Sequence, residues 1–178
     1  MNGSCIIETR VVEEIHEQAF ATLDAWVREP ADGLPEEFFL FLSRFTPLVN
    51  VDLLIQDDRH RTMLTWRQDQ IYGAGWHVPG GIIRYKETAE DRIRATARRE
   101  LGTEVAFDPE PIAVEQLMDP DRRERGHFIS LLYRCRLLAP PDTRLRYVHG
   151  DPQRDQWAWH DSCPRDLISA QTGYRRFF

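Results

Sequence analysis

At 178 residues, the chain has room for one domain and a small appendage, and 42% apolar content with 9 Phe, 5 Trp and 5 Tyr supplies a core. A formal charge of −6 excludes general nucleic-acid affinity, which needs a basic footprint, but leaves room for an anionic small molecule bound by local arginines and a divalent ion. No apolar run approaches membrane-spanning length, so no membrane partner is expected.

Residues 11–26 place Val12, Ile15, Ala19, Leu23 and Trp26 at helical spacing with Glu13, Glu14, Glu17 and Asp24 opposite, which predicts an amphipathic helix. The sequence at 29–33, Glu-Pro-Ala-Asp-Gly, breaks it. Pro35 suits the first turn of a second, short helix, with Glu36 and Glu37 at its positive end. Phe38, Phe39, Leu40, Phe41, Leu42 and Phe45 make that helix apolar around much of its circumference. Such a surface needs a partner, and a flank-packed helix, a lid and a dimer element all satisfy it. We therefore expect an N-terminal helical extension over 1–45 and a main domain over 46–178.

Residues 48–56 and 62–66 read as paired strands across the turn Asp57-Asp58-Arg59, and 67–75 as a loop. Trp76 and Val78 form a short strand ending in Pro79-Gly80-Gly81, where missing side chains admit a ligand or metal close to the backbone. Thr88, with Asp91 three residues on, is a helix N-cap. Behind it Ala89, Ile93, Ala97 and Leu101 recur at i+4, a narrow apolar stripe with Glu100 beside it. Strands follow at 103–107, 112–118 and 127–138, the last two around the charged turn 119–126. An edge strand at 145–148, a loop at 149–155, a strand at 156–160 and a last helix starting at 164–170 complete the chain. Strands flanking one strongly patterned helix suit a mixed sheet sandwiched by helices. Cys5, Cys135 and Cys163 are far apart with no Cys-x-x-Cys pair, and the N-terminus lacks a basic-then-apolar targeting pattern, so a reducing cytoplasm is the expected location.

The stretch 81–102 resembles the Nudix box, a Gly, five residues, a Glu, seven residues, then Arg-Glu-apolar-x-Glu-Glu-x-Gly. Gly81, Glu87, Glu100 and Gly102 fall in register, while Ala95-Thr96 replaces the Arg-Glu pair and Arg99 the first residue of the Glu-Glu pair. The GDP-mannose mannosyl hydrolase branch of that superfamily also lacks the full glutamate set. The resemblance to it includes 46–52 (Thr-Pro-Leu-Val-Asn-Val-Asp), Trp76 to Gly81 as Trp-x-Val-Pro-Gly-Gly, and the Gln153 loop running into a Trp strand. It implies a Nudix fold, a mixed β-sheet in an α/β/α sandwich, and dimers are common in the superfamily, so a homodimer is expected.

By this resemblance the metal, Mg²⁺ or Mn²⁺, is held by the Gly80 carbonyl, Glu100 and Gln153. Oxygen ligands suit such a hard cation. Arg67 aligns with a diphosphate-binding arginine, whose guanidinium forks two donors onto one phosphate. Asp52 matches an aspartate near the sugar or its anomeric carbon. The implied reaction is hydrolysis of a nucleoside diphosphate sugar at that carbon. The branch's base is a histidine after the glutamine; here Arg154 stands there and cannot accept a proton. Asp155, Asp151 and His149 are the candidates to replace it, with Asp155 in the catalytic set beside Glu100, Arg67 and Asp52. Other readings stay open: Glu100 paired with Arg99 or Arg94 on a solvated face, Asp52 in a salt bridge, Arg67 exposed on an edge strand, pyrophosphate cleavage, and a non-catalytic nucleotide-sugar-binding module. Glu87 reads as structural. The cluster Arg122, Arg123 and Arg125, flanked by Asp119, Asp121 and Glu124, is a solvated hairpin tip or a substrate rim. Trp157 and Trp159, two apart in a strand, share one face, where both pack into the core or one stacks on a base or sugar at its margin, with the core the expected place.

Overall fold

The β-rich run at His127–Leu137 forms the strand on which the main sheet is assembled. A computed structural model describes the backbone of residues 3–178 and the side chains of 13–178, so Cys5 and Val12 lie outside the described side chains. The helices are α1 (Gly3–Trp26), α2 (Glu36–Leu42) and α3 (Ala89–Leu101). The strands are β1 (Leu48–Ile55), β2 (Thr62–Asp69), β3 (Gly73–His77), β4 (Gly80–Ile82), β5 (Val105–Phe107), β6 (Ala113–Met118), β7 (His127–Leu137) and β8 (Trp157–His160). β7 pairs in parallel with β1 along its length and antiparallel with β6 and β5 on its other edge; β4 closes on β1 antiparallel. A second, antiparallel sheet runs β3-β2-β8.

β1 is buried on both faces, which is why it reads as a nearly continuous apolar run. Val51, Leu53 and Ile55 face the stripe Ile93, Ala97 and Leu101 of α3, all with no exposed surface. Each large side chain buried there contributes about 1.5–3 kcal/mol. Leu54 faces the other way, onto Leu64, Trp76, Leu132 and Tyr174 of the C-terminal side. Thr88 caps α3 as expected, its hydroxyl accepting from the Asp91 amide at 3.1 Å. Trp157 is buried and Trp159 packs against the same cluster, the core placement expected of them.

Four expectations change. Residues 67–75 are not a loop: β2 continues to Asp69 and β3 starts at Gly73, because the Asp69 carboxylate accepts from the amides of Ile71 and Tyr72 and closes a tight hairpin. Gly80-Gly81 is itself strand, paired with Asp52 and Val51. Residues 145–148 make a single bridge, Arg146 to Trp157, instead of a strand. The last helix begins at Ser169 and is wound as 3₁₀ to Phe177, later than expected. In the N-terminal segment, Pro35 sits at the cap of α2 just ahead of its first turn. Along α1, Ile15, Phe20 and Trp26 remain 59%, 67% and 48% exposed.

Two buried polar groups tie the layers together. The Asp52 carboxylate, only 2% exposed, accepts from Ser130 Oγ at 2.5 Å, Tyr174 Oη at 2.5 Å and Asn50 Nδ2 at 3.0 Å. This hydroxyl cradle, and no salt bridge, is its partner. Burial pushes its carboxyl above the ordinary value, and those three bonds pull against that shift. His77 lies opposite Thr65 across β2 and β3, and its Nδ1–H donates to the Thr65 carbonyl at 2.8 Å. Burial, with the Arg67 charge, holds its pKa down to about 3, so the ring is neutral.

Replacing Asp52 with Ala strands these donors, and we expect a loss of about 3 kcal/mol in urea unfolding, against about 1 kcal/mol for Tyr174→Phe. His77 is protonated in the unfolded chain below pH 6.5 but stays neutral in the fold down to about 3. Its contribution is therefore present above 6.5 and lost as pH falls through that window, at up to about 1.4 kcal/mol per pH unit. In unfolding curves between pH 7 and 4, His77→Gln should flatten this acid loss; an unchanged slope would refute it.

Candidate functional site

Glycines at 80 and 81 set the geometry of the site. A Cβ at Gly80 would collide with the Asp52 carboxylate, and one at Gly81 would lie 2.8 Å from Arg92 Cδ and 2.5 Å from Thr96 Oγ1. Without those atoms β4 lies flat on β1 while α3 passes close over it. Just upstream the Val78 backbone is clamped by Gln171, whose side-chain oxygen accepts from Val78 N at 2.7 Å and whose amide donates to Val78 O at 3.3 Å. The Leu53 amide holds the Pro79 carbonyl at 2.8 Å. The turn is thereby fixed from both sides.

The end of α3 brings Glu100 to this turn. Its side chain is 13% exposed, and burial pushes its carboxyl above the ordinary value against the Arg99 charge and hydrogen bond, the Arg67 charge and the Thr65 hydroxyl. Thr65 Oγ1 lies 3.3 Å from Oε2, and His77 Nε2 lies 3.8 Å from the same atom. On the other carboxylate oxygen, Arg99 Nη2 donates at 2.9 Å while also reaching the Gly80 carbonyl at 3.3 Å. Gly80 O and Glu100 Oε1, two of the three expected metal ligands, thus converge on one cationic nitrogen. The donor set is hard oxygen and a cation already sits between its members, so these two residues fit a divalent ion. Gln153 is not among the residues that line the cleft with them, and its side-chain amide donates to Asp151 O at 3.0 Å within its own loop. Among the described residues, no three His, Cys, Asp or Glu side chains gather into a metal-holding group.

A cleft of about 1540 Å³ opens from this point. Its wall includes Gly80, Asp52, His77, Arg99, Glu100 and Arg67, the β2–β3 hairpin, the β6–β7 turn, and Phe39 and Leu40 of α2 beside that turn. Eight arginines and six carboxylates line it, and none of the lining residues is lysine, so the cleft reverses the sign of the −6 chain. Arg67 is half-buried, paired with Asp69 at 3.3 Å and stacked 4.9 Å from the Tyr72 ring centre. Arg122 and Arg125 lie over the same ring at 4.3 and 5.5 Å, which puts the hairpin-tip arginines on the cleft wall. Arg154 and Asp155 also line the cleft, both largely exposed; His149 and Asp151 are exposed outside it. Glu87 is held by Arg92 at 2.7 Å and by the Arg84 amide at 2.8 Å, a structural clamp on the loop before α3.

Sequence reasoning missed His77, Thr65, Tyr72 and Gln171. His77 occupies the variable position of Trp-x-Val-Pro-Gly-Gly, and its alternation with Trp76 and Val78 was the one usable signal. Tyr72 and Gln171 act through tertiary contacts that carry no local signature.

A family model for the NUDIX domain matches residues 46–162. Among solved structures, a MutT NUDIX hydrolase from Burkholderia pseudomallei superposes with TM-score 0.58 at 23% identity, covering 74% of this chain and 97% of that one. A UDP-X diphosphatase superposes with TM-score 0.52 at 15% identity, covering 94% and 90%. At those identities both speak for the fold alone. The low-salt glycan biosynthesis protein Agl8 of Haloferax volcanii is 30% identical over 80 residues, 45% of this chain and 51% of that protein, so the chain spans about half the length of the curated relative it matches. With the glycine turn, the capped helix and Glu100 in the geometry described above and the domain model covering most of the chain, this protein belongs to the Nudix family.

Proposed function

We propose that this protein is a hydrolase acting on a nucleoside diphosphate sugar of the GDP-mannose type in the cytoplasm, with water attacking the anomeric carbon to release nucleoside diphosphate and free sugar. One observation carries the reading: an arginine-lined cleft runs unbroken from Glu100 and Gly80, past Arg67, to the arginine-ringed Tyr72. A diphosphate needs the first part and a nucleoside or sugar the second. The name of Agl8, a glycan biosynthesis protein, and that of the UDP-X diphosphatase add support for a nucleotide-sugar class.

Gly80 O and Glu100, with Gln153 if its loop turns inward, would hold Mg²⁺ or Mn²⁺, which supplies charge neutralisation of the departing diphosphate. Arg67 forks onto a phosphate oxygen, exchanging Asp69 for it. The water loses its proton to Asp155, the carboxylate of the Gln153 loop that faces the cleft; oxygen bonds to the anomeric carbon as the carbon–oxygen bond to the β-phosphate breaks. Asp52 lies behind Gly80 and sets the pocket floor through its hydroxyl cradle. We further propose a homodimer over α1 and α2, where Ile15, Phe20, Phe41 and Phe45 stay exposed. A second reading, a binding module without turnover, draws on Arg99 in the cation position and on Arg154 where a base is expected.

With Mg²⁺, GDP-mannose and ¹⁸O-labelled water, mass spectrometry should find the label on the sugar and a Glu100→Gln rate lowered by about 100-fold or more. Label on phosphate would replace this reading with pyrophosphate cleavage, and saturable binding without turnover with the module. Light scattering of the purified chain should give a dimer mass; a monomer at micromolar concentration would remove the dimer proposal.

A further inference from the structure

We propose that the Arg99 guanidinium is an internal cation that occupies the metal position and must be displaced by the incoming ion, so that Arg99 sets the metal affinity of this site. The inference rests on the metal role assigned above to Gly80 and Glu100.

Adjacent residues of a helix point about 100° apart and do not normally meet. Arg99 nevertheless curls round to place one nitrogen 2.9 Å from Glu100 Oε1 and 3.3 Å from Gly80 O. Attraction between neighbours does not explain that path, since a solvated Arg99 would gain little from such a pair. The demand comes from Glu100. Its carboxylate is 13% exposed, and among the described residues Thr65 is its one other hydrogen-bond donor. A largely buried charge without a counter-charge is costly, and in the free protein the Arg99 guanidinium is the cation placed against it. Arg99 itself is 60% exposed and has open space to withdraw into.

A divalent ion arriving beside the guanidinium would set three positive charges against one carboxylate. At equal separations the repulsion between them matches the ion's attraction to the carboxylate and is twice the guanidinium's, so the guanidinium is the one that gives way. Binding would be an exchange: Gly80 and Glu100 would hold the ion, and Arg99 would swing out along the cleft wall. There the released guanidinium has a phosphate oxygen of a bound diphosphate as its next partner. Metal bound alone forfeits the Arg99 contacts, and metal bound with a diphosphate restores them, so Arg99 couples the two ligands.

The test is a titration of the full-length protein with Mn²⁺ alone, reading free Mn²⁺ by electron paramagnetic resonance. Arg99→Gln should tighten Mn²⁺ binding on the order of tenfold. Arg99→Lys, which keeps the charge, should stay nearer the wild type, and Glu100→Gln placed on Arg99→Gln should abolish the gain. Thermal melts of each variant verify folding, which an exposed position should preserve. Equal affinity in wild type and Arg99→Gln overturns the exchange and leaves the metal role standing. No saturable Mn²⁺ binding in any variant overturns both.

Discussion

A carboxylate taken out of water must be given a cation or be protonated, and in this chain that requirement falls on Glu100. The apolar stripe of α3 cannot be buried against β1 without carrying Glu100 toward the glycine turn, because Glu100 stands three and four residues after the buried Ala97 and Thr96 and shares their side of the helix. Packing of the core and creation of the charged site are therefore one event. Everything around Glu100 answers the same demand: Thr65 donates, His77 is kept neutral so that no second cation competes, and Arg99 fills the remaining side. A chain that lost this stripe would lose the site with it.

The close approach that makes this possible depends on two absent side chains. Gly80 makes room for the Asp52 carboxylate and Gly81 for Arg92 and Thr96, so strand, helix and cradle converge within a few ångströms. The cost is a polar interior. Asp52, Ser130, Tyr174 and Asn50 must satisfy each other, and a partly satisfied network of this kind is worse than an apolar one. The C-terminal segment supplies Tyr174 to the cradle and Gln171 to the turn. A distant piece of sequence thereby fixes the Val78 backbone that leads into the glycine turn.

Most of the framework was legible because it is written in periodicity. The Ile93, Ala97, Leu101 stripe, the Thr88 cap and the apolar run of β1 each follow from spacing, and the resemblance in 46–159 added the layer order. The β2–β3 hairpin was not legible, since its turn is made by Asp69 accepting two backbone amides in a stretch otherwise polar enough to pass for loop. Nor could spacing show where Arg99 goes: a helical wheel puts it on a different face from Glu100, and only the Gly80 carbonyl, brought in from another element, draws it across. The Gln153 loop fails for a third reason. Its side chain answers to Asp151 beside it, and local hydrogen bonds of that kind leave no trace in the pattern of apolar residues.

The position of Glu100 along the helix deepens its need for a cation. It stands one residue from the C-terminus of α3, where unpaired carbonyls accumulate the negative end of the macrodipole. A carboxylate there is opposed by the helix as well as by burial, and Arg98 and Arg99 in the same turn offset the field. Arg98 spends its charge on Glu104 at 2.8 Å, facing away from the cleft. Arg99 is the one basic residue of that turn turned toward Gly80. Replacing a carboxylate by arginine at this point of the Nudix pattern thus does two things at once. It removes a second anion that would have helped to hold a divalent cation, and it supplies the charge that the helix terminus and Glu100 together require.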